Sequence, residues 1–341
     1  MITLGLETSC DETSVAVLKN GRKILSNVVF SSLNEHRKYG GVVPEIASRS
    51  HLEVLLPCLE TSCRKARLKL QDIDLVAVTQ GPGLMGSLIV GVSTAKALAF
   101  ALKKPLVGVD HVLAHLHAGF LSEPKLRFPF LGLVVSGGHT LLALVESAED
   151  TRILGSTLDD ALGEAFDKVA KILGLGYPGG PEVDRLSRGQ DPKRFFFSRP
   201  FLSKDSPDFS FSGLKTAVYY QVERLKKNKT LTPKTKKQIC AGFQEAVCEV
   251  LTRKTLNAMK KHRLKRCVVG GGVSANSRLK DLMTRALKKE KFEVIFPSPA
   301  LCQDNAAMIA CLGHALYRAG KKDTLDMGAY ANFADGIYFS V

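Results

Sequence analysis

Two segments, one at the start of the chain and one near its middle, open with the same order of pieces, and this duplication limits the fold more than any other feature. Residues 2–6 read as an apolar strand, 7–12 as a polar turn and 13–18 as a second strand. Residues 130–135, 136–139 and 140–145 repeat that opening. Alternating helical and strand patterns follow each. In the first half these are a strand at 24–30 after the Asn20-Gly21 turn, a helix at 45–63 that Pro57 should bend or split, a strand at 72–79, a helix from Leu84, and a strand at 105–109. In the second half they are helices at 159–173, 181–188, 212–228 and 236–262, a strand at 266–269, a helix at 278–289, a strand at 293–296 and a last helix at 304–319. Two α/β domains of one plan, facing a cleft, are expected. The first should span 1–128 and the second 129–341, the latter enlarged by a helical insertion at about 159–262.

The strand at 105–109 runs into Asp110-His111-Val112-Leu113-Ala114-His115. On a helix, residues four apart share a face one turn from each other, so His111 and His115 can grip one divalent cation. A bare HxxxH is more often two surface or packed histidines, and a stable site usually needs a third ligand. Asp304, after the proline-containing loop 297–303, is a candidate only if its helix points back at the pair; otherwise it is an ordinary acid at a helix start. A zinc protease of this pattern needs glutamate directly after the first histidine, and here that place holds Val112.

Three turns, at Glu7-Thr8-Ser9, Ser136-Gly137-Gly138 and Gly270-Gly271-Gly272, recur in matching places of the two halves. Turns of this kind can aim backbone N–H groups at phosphate oxygens, which points to a nucleotide. Gly81-Pro82-Gly83-Leu84-Met85-Gly86 also fits a dinucleotide fingerprint, with Asp110 placed where a ribose-binding acid belongs. Against a nicotinamide enzyme stand the stiff Pro82, the extra strands before the motif, and a histidine pair such a site does not use. Asp167 and Asp184 flank Tyr177-Pro178-Gly179-Gly180-Pro181 and can accept hydrogen bonds from ribose, or serve only as helix acids. Asn276 can read a base or sugar edge, or only cap the next helix.

Charge adds a partner class. The formal net charge is +15, and residues 223–266 alone carry fourteen Lys or Arg against three acids. So one-sided a run favours nucleic acid over a merely solvated face. The eight cysteines form no CxxC pair and read as reduced, buried thiols. Residues 84–102 are apolar but interrupted by Ser87, Ser93, Thr94 and Lys96, which predicts a buried helix and not a membrane span. With no signal-peptide pattern at the start, a cytoplasmic protein is expected.

Taken together, these residues closely resemble the bacterial tRNA threonylcarbamoyladenosine transferase family over essentially the whole chain. The segments that carry the resemblance are 5–13, the HxxxH at 111–115, 134–140, 159–169, 176–181, 209–216, 269–276 and 297–308. The resemblance implies an actin, Hsp70 and sugar-kinase type of fold, with duplicated domains around a nucleotide cleft. It implies that His111, His115 and Asp304 hold one divalent metal, Fe(II) first and Zn as a second choice. Val134, Val135, Ser136, Gly137, Gly138, Asp167, Gly180, Asp184 and Asn276 are implied to bind the substrate threonylcarbamoyl-adenylate. The implied reaction moves its threonylcarbamoyl group to N6 of adenosine 37 in tRNAs reading ANN codons and releases AMP. Asp11, in the first turn, is our choice for the carboxylate that takes the N6 proton. An inactive paralogue forming a heterodimer and a small P-loop ATPase are implied as partners, with no membrane. An ATPase, kinase or chaperone-like module on the same fold is the alternative, and the metal triad separates it, because such proteins need no HxxxH.

Overall fold

The computed structural model describes residues 1–200 and 206–332. Two compact units emerge: Met1–Leu126 with Ser147–Asp150 and the chain from Pro297 on, and Arg127–Glu146 with Thr151–Phe296.

The first unit is built on a five-stranded sheet of order β3-β2-β1-β4-β5. Its strands are β1 (Ile2–Glu7), β2 (Glu12–Lys19), β3 (Lys23–Ser31), β4 (Leu75–Gly81) and β5 (Leu106–Asp110). β1, β2 and β3 pair antiparallel, and β1, β4 and β5 pair parallel. Asn20 and Gly21, at φ 54° and 68°, make the tight β2–β3 turn that the Asn-Gly pair favours. The helices are α1 (Leu33–His36), α2 (Pro44–Ala66), α3 (Met85–Leu102), α4 (His111–His117) and α5 (Gly119–Ser122). Pro57 lies inside α2 without splitting it.

Leu4, Leu6, Val15, Val17, Val76 and Val78 form one core with Leu55 and Leu59 of α2 and Val92 and Ala95 of α3. α3 is long and apolar enough to cross a membrane by composition. It buries one face (Leu88, Gly91, Val92, Ala95, Ala99), so the expectation of a buried helix holds for that face, while Met85, Ile89 and Phe100 stay exposed.

The second unit repeats the topology, with order β10-β9-β6-β7-β8. Its strands are β6 (Phe130–Val135), β7 (Thr140–Val145), β8 (Thr151–Ser156), β9 (Arg266–Gly270) and β10 (Glu293–Ile295). β6, β7 and β8 are antiparallel, and β6, β9 and β10 parallel. β8 is absent from the sequence reading. It is a half-exposed edge strand whose pairing with β7 slips at Leu142/Ala143, so no clean alternation marks it.

The helices here are α6 (Leu162–Leu173), α7 (Gly179–Ser187), α8 (Ser212–Lys227), α9 (Pro233–Lys261) and α10 (Ser277–Lys289). Leu131, Leu133, Phe166, Phe243, Leu251 and Val269 share its core. The middle of α9 is buried, so the run 223–266 is not one basic face; its charges gather at helix ends.

The boundary expected at 128/129 is followed by a return that the sequence did not disclose. α11 (Pro299–Cys302) and α12 (Ala306–Ala319) belong to the first unit. A Cβ on Gly5 would stand 2.3 Å from the Ala306 carbonyl oxygen, and one on Gly313 2.4 Å from Ala77 Cβ. α12 therefore lies directly on β1 and β4, and the expected span 129–341 is corrected to end near Phe296. Its last residues, and part of the expected insertion, lie outside the described residues. All eight cysteines are free thiols, seven of them buried.

Candidate metal and adenylate sites

β5 ends at Asp110, whose carboxylate caps the histidine helix: Leu113 N–H donates to its Oδ1 at 2.8 Å and the Tyr330 hydroxyl to its Oδ2 at 2.9 Å. Burial pushes Asp110 up to about 6. Both oxygens of Asp110 thus serve the chain's own structure. The fingerprint glycines are also used within the chain. A Cβ on Gly81 would lie 2.2 Å from the Tyr330 carbonyl oxygen, and one on Gly83 2.5 Å from that of Ser9. Val112, in the place of a protease base, is fully buried.

The cap fixes the direction of α4, and one face of it presents both imidazoles. Their ring centroids stand 4.8 Å apart at 79°. Asp304, just before α12, comes to meet them: its Oδ1 lies 3.2 Å from His115 Nε2 and 3.6 Å from His111 Nε2. One donor atom from each residue fits within 4.8 Å of the others. Neither ring nitrogen of buried His115 makes a hydrogen bond to the described residues. Two imidazole nitrogens and a carboxylate facing one point, without hydrogen-bond alignment, fit a divalent cation as the shared partner.

Glu7, which the sequence reading placed only in a turn, is fully buried behind His111. His111 Nδ1–H donates to Glu7 Oε2 at 2.9 Å, since a carboxylate can only accept. Thr79 Oγ1 donates to the same oxygen and Ser9 N–H to Oε1, each at 2.6 Å. The carboxylate thus fixes the ring with His111 Nε2 turned towards Asp304, the arrangement by which outer carboxylates orient metal-binding histidines. Burial opposes charge on this ring, yet Glu7 and then Asp304 outweigh it and raise His111 to about 10. A cation arriving here displaces that proton. The only sequence signal for Glu7 was an acid ending an apolar strand.

Asp11 follows the same turn. Its backbone carbonyl accepts from Ser32 N–H at 3.0 Å and from the Ser32 hydroxyl at 2.9 Å, which anchors the turn. Burial, then the negative charges of Asp304 and Asp11, push neighbouring Glu12 up to about 9. Asp11, Glu12 and Asp304 therefore form an acidic group beside the histidines.

The residues implied for the adenylate all lie in the second unit. Val134 and Val135 are buried in β6. Ser136 N–H donates to the His139 carbonyl at 2.8 Å and closes the turn, while Gly137 and Gly138 are exposed, with open space where a Cβ would stand. Their N–H groups make no hydrogen bond among the described residues. α6 begins against this turn, because a Cβ on Gly163 would meet Gly137 Cα at 2.7 Å. Gly271, by contrast, sits at φ 90° against the Val135 carbonyl, a need of the chain itself.

Asp167 Oδ1 accepts from Gly179 N–H at 2.7 Å at the start of α7; burial raises its pKa, and the Gly179 and Gly180 N–H groups partly offset this. Asp184 ties α7 to α10, accepting from the Ser277 hydroxyl at 2.7 Å and from Arg188 at 2.9 Å. Asn276 Oδ1 caps α10, and its Nδ2 donates to Gln244 Oε1 at 2.8 Å. Asp159 accepts from Phe211 N–H at 2.7 Å and from the Ser212 hydroxyl at 2.9 Å, which joins two of the resembling segments.

Comparison with known proteins bears on the family and the fold. The family model described as tRNA N6-adenosine threonylcarbamoyltransferase matches residues 23–311. The enzyme of that name from Thermosipho africanus is 49% identical over 97% of this chain and 99% of its own, and that from Trichlorobacter lovleyi 52% over 98% and 96%. Full-length HypF, in its phosphate- and nucleotide-bound form, superposes with a TM-score of 0.63 at 14% identity over 93% of this chain and 46% of its own. The (R)-2-hydroxyglutaryl-CoA dehydratase component A of Acidaminococcus fermentans does so with 0.54 at 16% over 94% and 100%. The fold is thus the actin, Hsp70 and sugar-kinase type. The duplicated sheets, the relatives matched along nearly their whole length and the family match together lead to one assignment: the chain belongs to the tRNA N6-adenosine threonylcarbamoyltransferase family, enzymes that form threonylcarbamoyladenosine in tRNA.

Proposed function

We propose that this chain moves the threonylcarbamoyl group of threonylcarbamoyl-adenylate to N6 of adenosine 37 in tRNAs reading ANN codons, with His111, His115 and Asp304 holding one divalent metal. The convergence of those three side chains on a common point, within 4.8 Å of one another, carries this reading. Fe(II) is the favoured ion, and Zn also suits two imidazoles and a carboxylate. When bound, such an ion supplies a Lewis acid able to hold the threonyl carboxylate or polarise the carbonyl under attack.

The chain's own residues do the rest. Gly137 and Gly138 N–H groups, without hydrogen-bond partners among the described residues, suit the adenylate phosphate. Asp167, Gly180, Asp184 and Asn276 position ribose and adenine, the last two through acceptor and donor capacity left beyond the contacts to Ser277, Arg188 and Gln244. In the transfer, N6 bonds to the carbonyl carbon, the carbon–oxygen bond to the phosphate breaks, and AMP leaves. Asp11 takes the proton that N6 sheds. The target base must leave the anticodon-loop stack to reach the site.

The working assembly includes an inactive paralogue as heterodimer partner and a P-loop ATPase, in the cytoplasm. The exposed Leu52 and Leu56 of α2, with Met85, Ile89 and Phe100 of α3, support the paralogue's docking on the first unit. Purified protein with its partners, synthetic adenylate and unmodified tRNA, followed by nucleoside mass analysis, tests the whole reading. His111→Ala should lose both bound metal and product. Stoichiometric metal retained in that variant would remove the ligand assignment.

A further inference from the structure

The second sheet has a far edge that the site above does not use. The glycine turns follow the carboxyl ends of β6 and β9. Phe128-Pro129, residues 263–265 and residues 291–292 precede the amino ends of β6, β9 and β10. β9 has five residues; at ~3.3 Å per residue the two edges stand roughly 15 Å apart. At the amino edge lies a cavity of about 540 Å³, lined among others by Phe128, Arg263, Lys265, Arg266, Lys291 and Glu293.

Its charge is one-sided. Residues 260–266 and 288–293 hold eight Lys or Arg and two acids. Glu290 pairs with Lys260 at 2.9 Å and Glu293 with Arg266 at 3.0 Å. Among the described residues, no acid lies within ion-pair distance of Arg263, Lys265 or Lys291, and all three are exposed. His262 beside them is held below its ordinary value first by burial and then by the cations Arg152 and Lys261, with Glu146 acting the other way.

The backbone adds an independent sign. Arg263 and Lys291 sit at φ 54° and 61°, where glycine is at ease and any side chain is strained. Each follows a helix, α9 and α10, and a cation is favoured at such an end. Arg67 and Lys103, at φ 57° and 53°, hold the matching places after α2 and α3. The helix dipole thus accounts for cations at the ends of α9 and α10, Lys288 and Lys289 among them, and not for Lys265 and Arg266, which lie beyond α9 at the start of β9.

We propose that this end of the second unit grips the phosphate backbone of tRNA through Arg263, Lys265 and Lys291, with Phe128 as an aromatic wall. The inference rests on tRNA being the substrate. Fixed cations around an open concavity beside an aromatic ring suit a ribose-phosphate strand with its bases turned aside. Lying an entire strand length from the glycine turns, these contacts set affinity and not chemistry. Elsewhere in the basic run 223–266, two of the cations are engaged within the chain: Lys226 pairs with Glu223 at 2.8 Å and Lys236 Nζ donates to the Leu173 carbonyl at 2.7 Å.

The test measures binding of labelled unmodified tRNA to the full chain across a salt series. The charge reversal Arg263→Glu/Lys265→Glu/Lys291→Glu should weaken binding roughly 10-fold or more and flatten the log–log salt slope by about two, alike for every tRNA. The pair Arg263→Gly/Lys291→Gly removes two charges while supplying the residue the backbone favours. It should weaken tRNA binding without lowering the melting temperature, which misfolding cannot imitate. Unchanged affinity and slope in both variants, in a chain that binds and modifies tRNA, overturns this surface and leaves the enzymatic reading intact. A chain that binds tRNA but transfers nothing fails the enzymatic reading, while the variants still decide the surface. If the variants lose binding of inorganic pyrophosphate yet hold tRNA as before, the cavity is a small-anion site and the proposal falls.

Discussion

At the residue scale, the proposed metal-binding group depends on a carboxylate that is not itself one of the proposed ligands. Glu7 is fully buried and accepts hydrogen bonds from His111, Thr79 and Ser9, so each oxygen has a donor and the charge is compensated. Glu7→Gln keeps the shape but turns a donor towards donors and frees the His111 ring to change tautomer. Metal affinity should fall about 10–100-fold, measured by competition with a chelator. An unchanged dissociation constant would show that His111 needs no orienting partner. His111, His115 and Asp304 were each visible in the sequence as residue types. Glu7 was not, because burial and a partner more than a hundred positions away leave no local pattern. Asn276 and Asp184 illustrate the reverse: residues that invited a ligand role hold intrachain bonds as well.

At the element scale, α4, which carries the two histidines, and α12, which Asp304 precedes, are positioned by close backbone approach and by buried polar links. α12, and Asp304 before it, sits on β1 only because Gly5 has no side chain. Gly5→Val should displace α12, cost about 1–3 kcal/mol and lower metal stoichiometry together with the melting temperature. Full metal loading at an unchanged melting temperature would refute this packing role.

α2 is linked to the first turn by His51, whose Nε2–H donates to the Cys10 carbonyl at 3.0 Å and whose Nδ1 accepts from the Thr13 hydroxyl at 2.7 Å. Burial, partly offset by the Cys10 bond, lowers its pKa from 6.5. The unfolded chain therefore takes up this proton first as the pH falls. Stability from this group is complete above 6.5 and is lost as the pH drops through and below that value. His51→Gln should flatten the acid side of the stability–pH curve, read by denaturant titration at several pH values; a parallel curve would clear His51. Periodicity revealed most of these elements. It missed β8, where an irregular, half-exposed edge offers neither alternation nor a continuous apolar run.

At the scale of the whole molecule, the chain leaves the first unit after Leu126, joins it again briefly at Ser147–Asp150, and returns to it at Pro297. Residues 127–296 should then fold cooperatively as a separate fragment. Residues 1–126 alone should not, for want of α12, until a peptide covering 297–332 is added. Thermal unfolding of the three preparations checks this, and a cooperatively folded 1–126 fragment would contradict it. The sequence by itself determined the duplicated α/β plan, the histidine helix and the excess of positive charge. Each of these is written in local spacing or composition, which needs no knowledge of distant partners. Only the tertiary structure decided that Asp304 reaches the histidines and that Glu7 stands behind them. It also decided that the fingerprint glycines serve the chain's own packing and that the basic residues collect at helix ends around a cavity. Those facts arise from contacts between segments far apart in the chain, and their geometry is set by which backbone surfaces can approach, a property no single stretch of sequence records.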